Sequence, residues 1–144
     1  MWQMKRFEDL TSKELHAIYR LRVEVFVVEQ ACAYQEVDEA DLISWHGMFW
    51  EDDQLLAYYR LIPREDGIHL GRVVVGKTAR GRGLGRDLVV QAISEAKNLF
   101  GNQDLHAQAQ AYLQEFYTSF GFEPISDSYL EDGIPHLDMV LKQR

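Results

Sequence analysis

The feature that most constrains this chain is a stretch from His69 to Phe100, which combines a strand, a glycine-rich loop and a helix. Val73–Val75 is β-branched and favours a strand. The loop over Gly81–Gly85 has glycine at every second position. From Leu84 onward apolar residues recur every three or four residues, which predicts a helix. Such a turn can bind anions, because the first helical N–H groups have no internal partners and the helix dipole adds positive potential.

Basic side chains are concentrated at the same place. No acidic residue lies between Gly67 and Arg86, although the whole chain has a formal net charge of −8. This local inversion of charge favours a phosphate-bearing ligand. The basic residues of the stretch are Arg72, Lys77, Arg80, Arg82 and Arg86.

Two nucleotide-binding motifs compete for this stretch. Gly71–Thr78 matches the P-loop pattern GxxxxGK[ST] letter for letter. A P-loop needs a phosphate-wrapping loop and a helix that begins at the lysine, whereas here Val73–Val75 favour a strand and the helix begins well after Lys77. The dinucleotide fingerprint, with Asp104 as its ribose-binding acid, also fits poorly, because the glycines are spaced GxGxG rather than GxGxxG.

A third pattern, [Arg/Gln]-x-x-Gly-x-[Gly/Ala], is met by Arg80, Gly83 and Gly85. It follows a strand and opens a long helix, and it resembles the acyl-CoA pyrophosphate loop of the GNAT N-acetyltransferase superfamily. The simpler alternative is an ordinary strand–helix loop with solvated arginines. Phe116–Phe122, which reads Phe-Tyr-Thr-Ser-Phe-Gly-Phe, resembles the late GNAT motif [Leu/Phe]-Tyr-x-x-x-Gly-Phe, and the two motifs together are far more specific than either alone.

Further segments are similar to the ElaA-type branch of that superfamily, namely Val25–Gln30, Tyr34–Glu36 and Glu131–His136. The chain departs from the family patterns at three positions. Ala33 stands where the branch usually has Pro, and Gln110 and Leu113 replace the commoner GNAT Asn and Ala ahead of the tyrosine motif.

The predicted order of elements supports the same resemblance: a helix, an antiparallel meander, the loop and long helix, a strand, a short helix and two closing strands. A capping box at Thr11–Glu14 predicts a helix start near Ser12, whereas Arg22–Gln30 is ambiguous between helix and strand. The other predicted strands are Met1–Phe7, Ser44–Trp50, Leu55–Ile62 (ended by Pro63), His69–Val75, Leu105–Ala109, Phe122–Ile125 and His136–Leu141, and the other predicted helices are Leu84–Phe100 and Leu113–Phe120. Leu105–Ala109 is expected to pair in parallel with Val73–Val75 through a crossover.

The resemblance implies an α/β GNAT fold, with a mixed, mostly antiparallel sheet, a splayed parallel pair and flanking helices, in one domain over residues 1–144. It also implies acetyl-CoA as the cofactor. Pyrophosphate would be bound by Arg80, Gly81, Arg82, Gly83, Leu84, Gly85 and Arg86. Pantetheine and the acetyl carbonyl would be bound where the two parallel strands splay apart, by Val73, Val74 and Val75 and by Gln108 and Gln110 opposite. The alternative for Val73–Val75 is an ordinary buried strand.

Tyr117 matches the residue that, in the resembling family, protonates the sulfur of coenzyme A. A phenol suits this role because it can donate to a thiolate and is neutral near pH 7; the alternative is a packing aromatic. The general base is open among Glu29, Glu36, His46, His69 and His136, of which we select His46 and Glu29. Cys32 could carry an acyl-enzyme, but no neighbouring base in the sequence supports that route.

The composition of the chain limits the kinds of partner that we expect it to bind. The sequence pI of about 5.0 argues against general nucleic-acid binding. Cys32 is the single cysteine, which excludes an internal disulfide, and no ligands are spaced as in known metal motifs, so no metal site is predicted. No stretch resembles a signal peptide or a membrane span of about 18 apolar residues. We therefore expect a cytoplasmic protein without membrane contact, and a homodimer is compatible with the sequence.

Acidic residues occur in two segments that flank the acceptor cleft of the resembling fold. We expect their charge to attract a cationic acceptor, such as a polyamine, an aminoglycoside-like amine, or a lysine or N-terminal amine of a peptide. The alternative is that they only solvate surface loops. These residues are Glu36, Asp38, Glu39, Asp41, Glu131 and Asp132.

The predicted function is thus an acetyl-CoA-dependent N-acetyltransferase that transfers an acetyl group to a primary amine by direct attack in a ternary complex. Two alternatives stay open. One is a non-catalytic acyl-CoA-binding module, and the other is an NTP-binding enzyme that uses Gly71–Thr78.

Overall fold

The computed structural model describes residues 1–143, which form one eight-stranded mixed sheet with helices packed on it. The strands are β1 (Trp2–Arg6), β2 (Trp45–Glu51), β3 (Gln54–Arg64), β4 (Gly67–Val75), β5 (Leu105–Gln110), β6 (Glu123–Pro124), β7 (Tyr129–Glu131) and β8 (Ile134–Leu141), and the α-helices are α1 (Ser12–Arg22), α2 (Leu84–Phe100) and α3 (Gln114–Thr118). The strand order is β1-β2-β3-β4-β5-β8-β6, with β7 paired to β8. No helix in the described range is long and apolar enough to cross a bilayer.

The central strand β3 has core residues on both of its faces. Tyr59 packs in one apolar cluster with Leu88 of α2, and Tyr58 packs in another with Ile18 of α1. Because successive residues of a strand point to opposite faces, α1 and α2 cover opposite sides of the sheet. The sheet is therefore buried on both faces at its centre, which explains the nearly continuous apolar sequence of β3.

The first helix begins as predicted and then changes its geometry. The Thr11 side chain accepts a hydrogen bond from the Glu14 backbone N–H, and Glu14 accepts one from the Thr11 N–H, so the capping box is confirmed. The ambiguous segment is helical, but Val23–Glu29 is a π-helix, with i→i−5 bonds such as that from Gln30 N–H to the Val25 carbonyl, at 3.1 Å. π-helical turns are rare and occur frequently at functional sites.

Parts of the predicted element order differ from the structure. Pro63 does not end β3, since it pairs with Ile68 near the end of the strand. The predicted helix Leu113–Phe120 is shorter in the structure, because a 3₁₀ turn over Ala111–Leu113 precedes α3 and α3 ends at Thr118. A short edge strand, β7, lies in what was predicted as loop.

The parallel pair of strands forms with a different register from the one predicted. Strand β5 pairs with β4 through Leu105–Ala107 opposite Ile68–Leu70, not opposite Val73–Val75. Beyond this point the two strands have no paired residues, while β5 continues to pair with β8 as far as Gln110. The carboxyl ends of β4 and β5 are therefore free of each other.

A β-bulge accounts for the divergence of β4. Tyr58 pairs with Val74 and Arg60 with Gly71, so Arg72 and Val73 together oppose the single residue Tyr59. Arg72 has a φ of 51°, in the left-handed region that is unfavourable for a side chain with a Cβ atom. A bulge bends its strand, and this one lies two residues beyond the last pair with β5.

The bulge predicts an unusual order of stability. Arg72→Gly and Arg72→Ala both remove the side chain, but glycine adopts a positive φ without strain, so Arg72→Gly should be the more stable by about 1 kcal/mol. Urea unfolding of both variants measures this. At the exposed β1 residue Gln3, where no positive φ is present, the order should reverse. An Arg72→Ala protein as stable as Arg72→Gly would contradict the strained bulge.

Candidate active site

An open cleft of about 1240 Å³ begins at the gap between the ends of β4 and β5. Its walls include Val73–Val75 on one side and Gln108–Gln110 on the other. It extends to the glycine-rich loop before α2 in one direction and to the β7–β8 turn in the other. The divergence of the two strands thus creates an elongated site, which suits a long ligand better than a compact one.

The glycine-rich loop presents backbone rather than side chains to the cleft. Gly81 and Gly83 have φ values of 83° and 76°, and Gly83 is the N-cap of α2 without any side-chain cap. A Cβ atom built on Gly81, Gly83 or Gly85 would meet nothing within 4 Å. Because the first-turn N–H groups of α2 lack helical partners, the loop offers several free donors beside the positive end of the helix dipole.

The three arginines of the loop have different surroundings. Arg80 lines the cleft, where it binds the Glu29 carboxylate at 2.7 Å and donates to the Val75 carbonyl. Arg82 forms an exposed ion pair with Glu51 outside the cleft lining. Arg86 lies over the Phe120 ring, 4.6 Å from its centroid. Exposed ion pairs contribute little, so Arg82 could exchange its carboxylate for a phosphate at small cost.

Gln108 has a defined orientation because of a short chain of hydrogen bonds. The Tyr129 hydroxyl donates to the Asp138 carboxylate, and its oxygen accepts from the Gln108 side-chain amide at 2.8 Å. Burial, together with the bond to Asp138, raises the pKa of Tyr129 to about 12. The side-chain oxygen of Gln108 is therefore left as an acceptor at the cleft. Gln108 was predicted from the sequence as a cofactor-binding residue, whereas no sequence feature indicated a role for Tyr129 or Asp138.

Tyr117 lines the cleft from α3, and only 6% of its surface is exposed. Its ring packs edge-on against Phe116 and Phe122, with centroid distances of 5.4 and 5.5 Å. Burial raises the pKa of Tyr117 to about 12, so its hydroxyl is protonated at every pH near neutrality. Packing and proton donation are both compatible with this position.

The structure does not favour either of the two bases selected from the sequence. His46 is fully buried, and its ring nitrogens bind the Tyr58 hydroxyl at 2.6 Å and the Asp41 carbonyl at 2.9 Å. It is not among the residues that line the cleft, and burial lowers its pKa, so it is a neutral core histidine. Glu29 does line the cleft, but its hydrogen bond with Arg80 lowers its pKa and hence its affinity for a proton.

His136 is better placed than either. It lines the cleft from β8, directly opposite Gln110 of β5. Its Nδ1 lies 2.7 Å from the Ile134 carbonyl, which can only accept, so Nδ1–H is the donor. In the neutral ring the lone pair is then on Nε2. Of the remaining candidates, His69 lines the cleft and is bonded to Asp66, and Cys32 lines it with its thiol 3.7 Å from the Asp132 carbonyl.

The expectation that the first acidic segment attracts a cationic acceptor was wrong for Glu36 and Asp41, which are buried, whereas Glu39 is exposed, as the alternative of a solvated loop implies. The side chains of Glu36 and Asp41 are only 3% and 1% exposed. Arg22 bridges them, with contacts of 3.0 Å to Glu36 and 2.8 Å to Asp41, and Arg60 binds Asp38 at 2.6 Å. The buried ion network consists of Arg22, Arg60 and Arg72 with Glu36, Asp38 and Asp41, whose formal charges cancel.

A different pair of acids reaches the cleft. Glu131 and Asp132, in the β7–β8 turn, are exposed and line its far end. No ion pair among the described residues engages either one. The second acidic segment thus lies at the cleft.

Comparison with known proteins agrees with this geometry. Residues 9–143 match the family described as acetyltransferase (GNAT) domain, so the chain belongs to that family of acyl-CoA-dependent acyltransferases. It is 48% identical over 141 residues to a UPF0039 protein of Schizosaccharomyces pombe, covering 96% of this chain and 94% of that one. Within the family the chain is ElaA-like: it is 38% identical over 143 residues to ElaA of Escherichia coli, with the same coverage.

Two solved structures have the same fold along their whole length. A crystal structure of Escherichia coli ElaA superimposes with a TM-score of 0.95 at 37% identity, covering 99% of each chain. An acyl-CoA N-acyltransferase from Pseudomonas aeruginosa gives a TM-score of 0.95 at 47% identity, covering 98% of each chain. The predicted GNAT fold, with its mixed sheet and parallel pair, is confirmed.

The buried ion network predicts sensitivity to acid. The Arg60 hydrogen bond lowers the pKa of Asp38; for Asp41, burial raises the pKa, but hydrogen bonds and charge from Arg22 and Arg60 outweigh it and the net shift is downward. A carboxyl whose pKa is lower in the folded state stabilises it above the unfolded pKa of about 4, and this contribution is lost as the pH falls through the folded pKa. Urea midpoints should therefore fall steeply below about pH 4.

The matched variants are Asp38→Asn, in the network, and Asp9→Asn, at an exposed acid outside it. Asp38→Asn should lower the midpoint at pH 7 and flatten the fall below pH 4, whereas Asp9→Asn should do neither. An acid dependence that Asp38→Asn leaves unchanged would show that the network is not its source.

Proposed function

We propose that this protein is an acetyl-CoA-dependent N-acetyltransferase that acts on a primary amine by direct attack in a ternary complex. The observation that carries the proposal is one continuous cleft that joins an open, glycine-rich helix N-terminus to two diverging strand ends. The first feature suits a pyrophosphate, and the second suits the extended, amide-containing arm between the pyrophosphate and the thioester.

The cofactor is bound mainly by backbone groups. The N–H groups of Gly81–Arg86 would bind the pyrophosphate, with Arg80 as charge support from the cleft and Arg82 from the rim. The pantetheine arm would lie between Val73–Val75 and Gln108–Gln110, whose facing backbone groups have no partners in each other. A β4 N–H beyond the bulge would then polarise the thioester carbonyl and stabilise the oxyanion of the tetrahedral intermediate.

Acyl transfer requires two proton movements. The neutral amine attacks the thioester carbon, a C–N bond forms, and collapse of the intermediate breaks the C–S bond and releases coenzyme A. The Tyr117 hydroxyl would donate its proton to the leaving thiolate, since burial keeps it protonated. His136 Nε2 would accept the proton that the amine loses, in preference to His46 and Glu29.

We further propose that the acceptor carries positive charge besides the reacting amine. Glu131 and Asp132 provide negative charge at the end of the cleft remote from the glycine-rich loop. The free side-chain oxygen of Gln108 can accept an N–H bond from the amine and orient it. A polyamine, an aminoglycoside-like amine and a lysine side chain of a peptide meet both requirements.

The two alternatives have unequal support. A non-catalytic acyl-CoA-binding module would need the cleft but neither a buried Tyr117 nor a cleft histidine. The alternative of an NTP-binding enzyme lacks the geometry that a P-loop needs, because Val73–Val75 lie in β4 and the helix begins at Leu84, seven residues after Lys77.

The first test measures release of free thiol from acetyl-CoA with a panel of cationic, neutral and anionic amines, alongside calorimetry with acetyl-CoA and with ATP. We expect acetyl-CoA binding and amine-dependent thiol release, greatest for a cationic amine. Gly83→Asp should weaken acetyl-CoA binding at least about tenfold more than Gly83→Asn, which has the same size without the charge. Acetyl-CoA binding without thiol release from any amine would favour the non-catalytic module, and equal effects of the two variants would place the anion site elsewhere.

The catalytic residues have their own test. Tyr117→Phe should lower kcat by roughly 10²-fold or more while the Kd for acetyl-CoA changes little, because only a hydroxyl is removed. With a pKa of about 12, Tyr117 is protonated from pH 6 to 9, so the kcat ratio of wild type to variant should be constant over that range. His136→Gln should also lower kcat, whereas Glu29→Gln should act mainly on cofactor affinity through Arg80. A normal kcat for Tyr117→Phe would leave Tyr117 only its packing role.

A further inference from the structure

A cluster of three metal-ligating side chains lies outside the chemistry described so far. Asp66 is in the β3–β4 turn, His69 is on β4, and His106 is on β5. One carboxylate oxygen and one nitrogen of each imidazole all lie within 4.8 Å of one another. The three residues are 3 and 37 positions apart in the sequence, so only the fold brings them together.

The parallel strand pair places the two imidazoles side by side. His69 and His106 are register partners, and their rings are stacked with centroids 4.7 Å apart at an interplanar angle of 18°. Asp66 bridges the stack, because its carboxylate accepts from His69 Nε2 at 2.7 Å and its backbone carbonyl accepts from His106 Nε2 at 3.0 Å. Both Nε2 atoms are therefore directed at one residue.

These distances are close to those of a metal site. Ligand atoms about 2.1 Å from a tetrahedral metal are about 3.4 Å from one another. The carboxylate of Asp66 lies 2.7 Å from His69 Nε2 and 3.9 Å from His106 Nε2, which bracket that value. Asp66 is exposed and the two histidines are partly exposed, so small rotations of the three side chains would bring the ligand atoms to a common centre.

The backbone that carries the cluster is well fixed. Gly67, next to Asp66, has a φ of 136°, and a Cβ atom there would lie 2.5 Å from the Asp104 carbonyl. That same carbonyl accepts from the Ile68 N–H at 2.8 Å. The turn is thus attached to the start of β5, and the position of Asp66 over the two strands does not depend on a metal.

We propose that Asp66, His69 and His106 bind a divalent late first-row metal ion such as Zn²⁺, with solvent completing the coordination. Two imidazoles and one carboxylate suit Zn²⁺, Ni²⁺ or Cu²⁺, whereas Mg²⁺ and Ca²⁺ prefer oxygen ligands only. On binding, each neutral ring coordinates through Nε2 and carries its proton on Nδ1. The ion replaces the hydrogen bonds to Asp66 and connects the turn to β5 at the paired end of the parallel strands, where His69 also lines the cleft.

The experiment is calorimetry of the full chain, without an affinity tag, with Zn²⁺ and separately with Mg²⁺. We expect one Zn²⁺ per chain, no Mg²⁺ binding, and a melting temperature that rises with Zn²⁺. His69→Gln and His106→Gln should each weaken Zn²⁺ binding at least about tenfold, the scale on which even outer-shell changes act. Asp66→Asn should weaken it less, because an amide oxygen can still coordinate.

Two control variants make the outcome decisive. His16→Gln changes an exposed histidine of α1, and Cys32→Ser removes the single thiol; both should bind Zn²⁺ as wild type does. His69 is partly exposed, so His69→Gln should melt like wild type without metal, which separates lost ligation from lost folding. Three results would each overturn the proposal. They are no Zn²⁺ binding at a Zn²⁺ concentration of about 0.1 mM, binding that His69→Gln leaves unchanged, and binding that is lost in His16→Gln or Cys32→Ser.

Discussion

The cleft depends on the ion pair between Arg72 and Glu36. Arg72 is the residue whose left-handed backbone forms the bulge in β4, a conformation that costs about 1–2 kcal/mol for a residue with a Cβ atom. Its guanidinium binds the buried Glu36 carboxylate and also donates to the Glu36 carbonyl at 2.8 Å. The strained backbone is therefore fixed by a side chain that no glycine could supply. Without the bulge, β4 could continue alongside β5, and the gap at which the cleft begins would close.

The network behind this ion pair links one helix and two strands to a single loop. Arg22 comes from α1, Arg60 from β3 and Arg72 from β4, and all three bind carboxylates of one loop. Removing one member would break at least one of these ion pairs and leave a formal charge uncompensated in the network, and breaking a buried pair typically costs 3–5 kcal/mol. Because the formal charges cancel, the network fixes the relative positions of these elements but adds no net charge beside the cleft. The glycine-rich loop contributes positive potential at one end of the cleft, and Glu131 and Asp132 contribute negative potential at the other.

Local features were predictable from the sequence, and features that depend on distant neighbours were not. The capping box, the Val73–Val75 strand and the loop that opens α2 each depend on adjacent residues, and all three are present. The predicted pairing of Val73–Val75 with β5 was wrong because the bulge bends β4 before these residues, and a positive φ at an arginine has no sequence signature. Arg60 did carry an overlooked signal. A lone arginine inside an apolar strand needs a buried partner, and the acids of the loop before β2 could have been assigned to it.

The same distinction between local and long-range features applies to the candidate site. Backbone donors follow from the glycine spacing, so the proposed pyrophosphate loop could be located from sequence, whereas a base or a metal ligand is defined by what lies opposite it in space. His46, His69, His106 and His136 look alike in the sequence. In the fold the first is enclosed by Tyr58 and Asp41, the next two are stacked over Asp66, and the last is held by the Ile134 carbonyl at the cleft. Their chemistry differs because their hydrogen-bond partners differ. Sorting histidines by the acceptor that each ring nitrogen faces is therefore more informative than sorting them by motif.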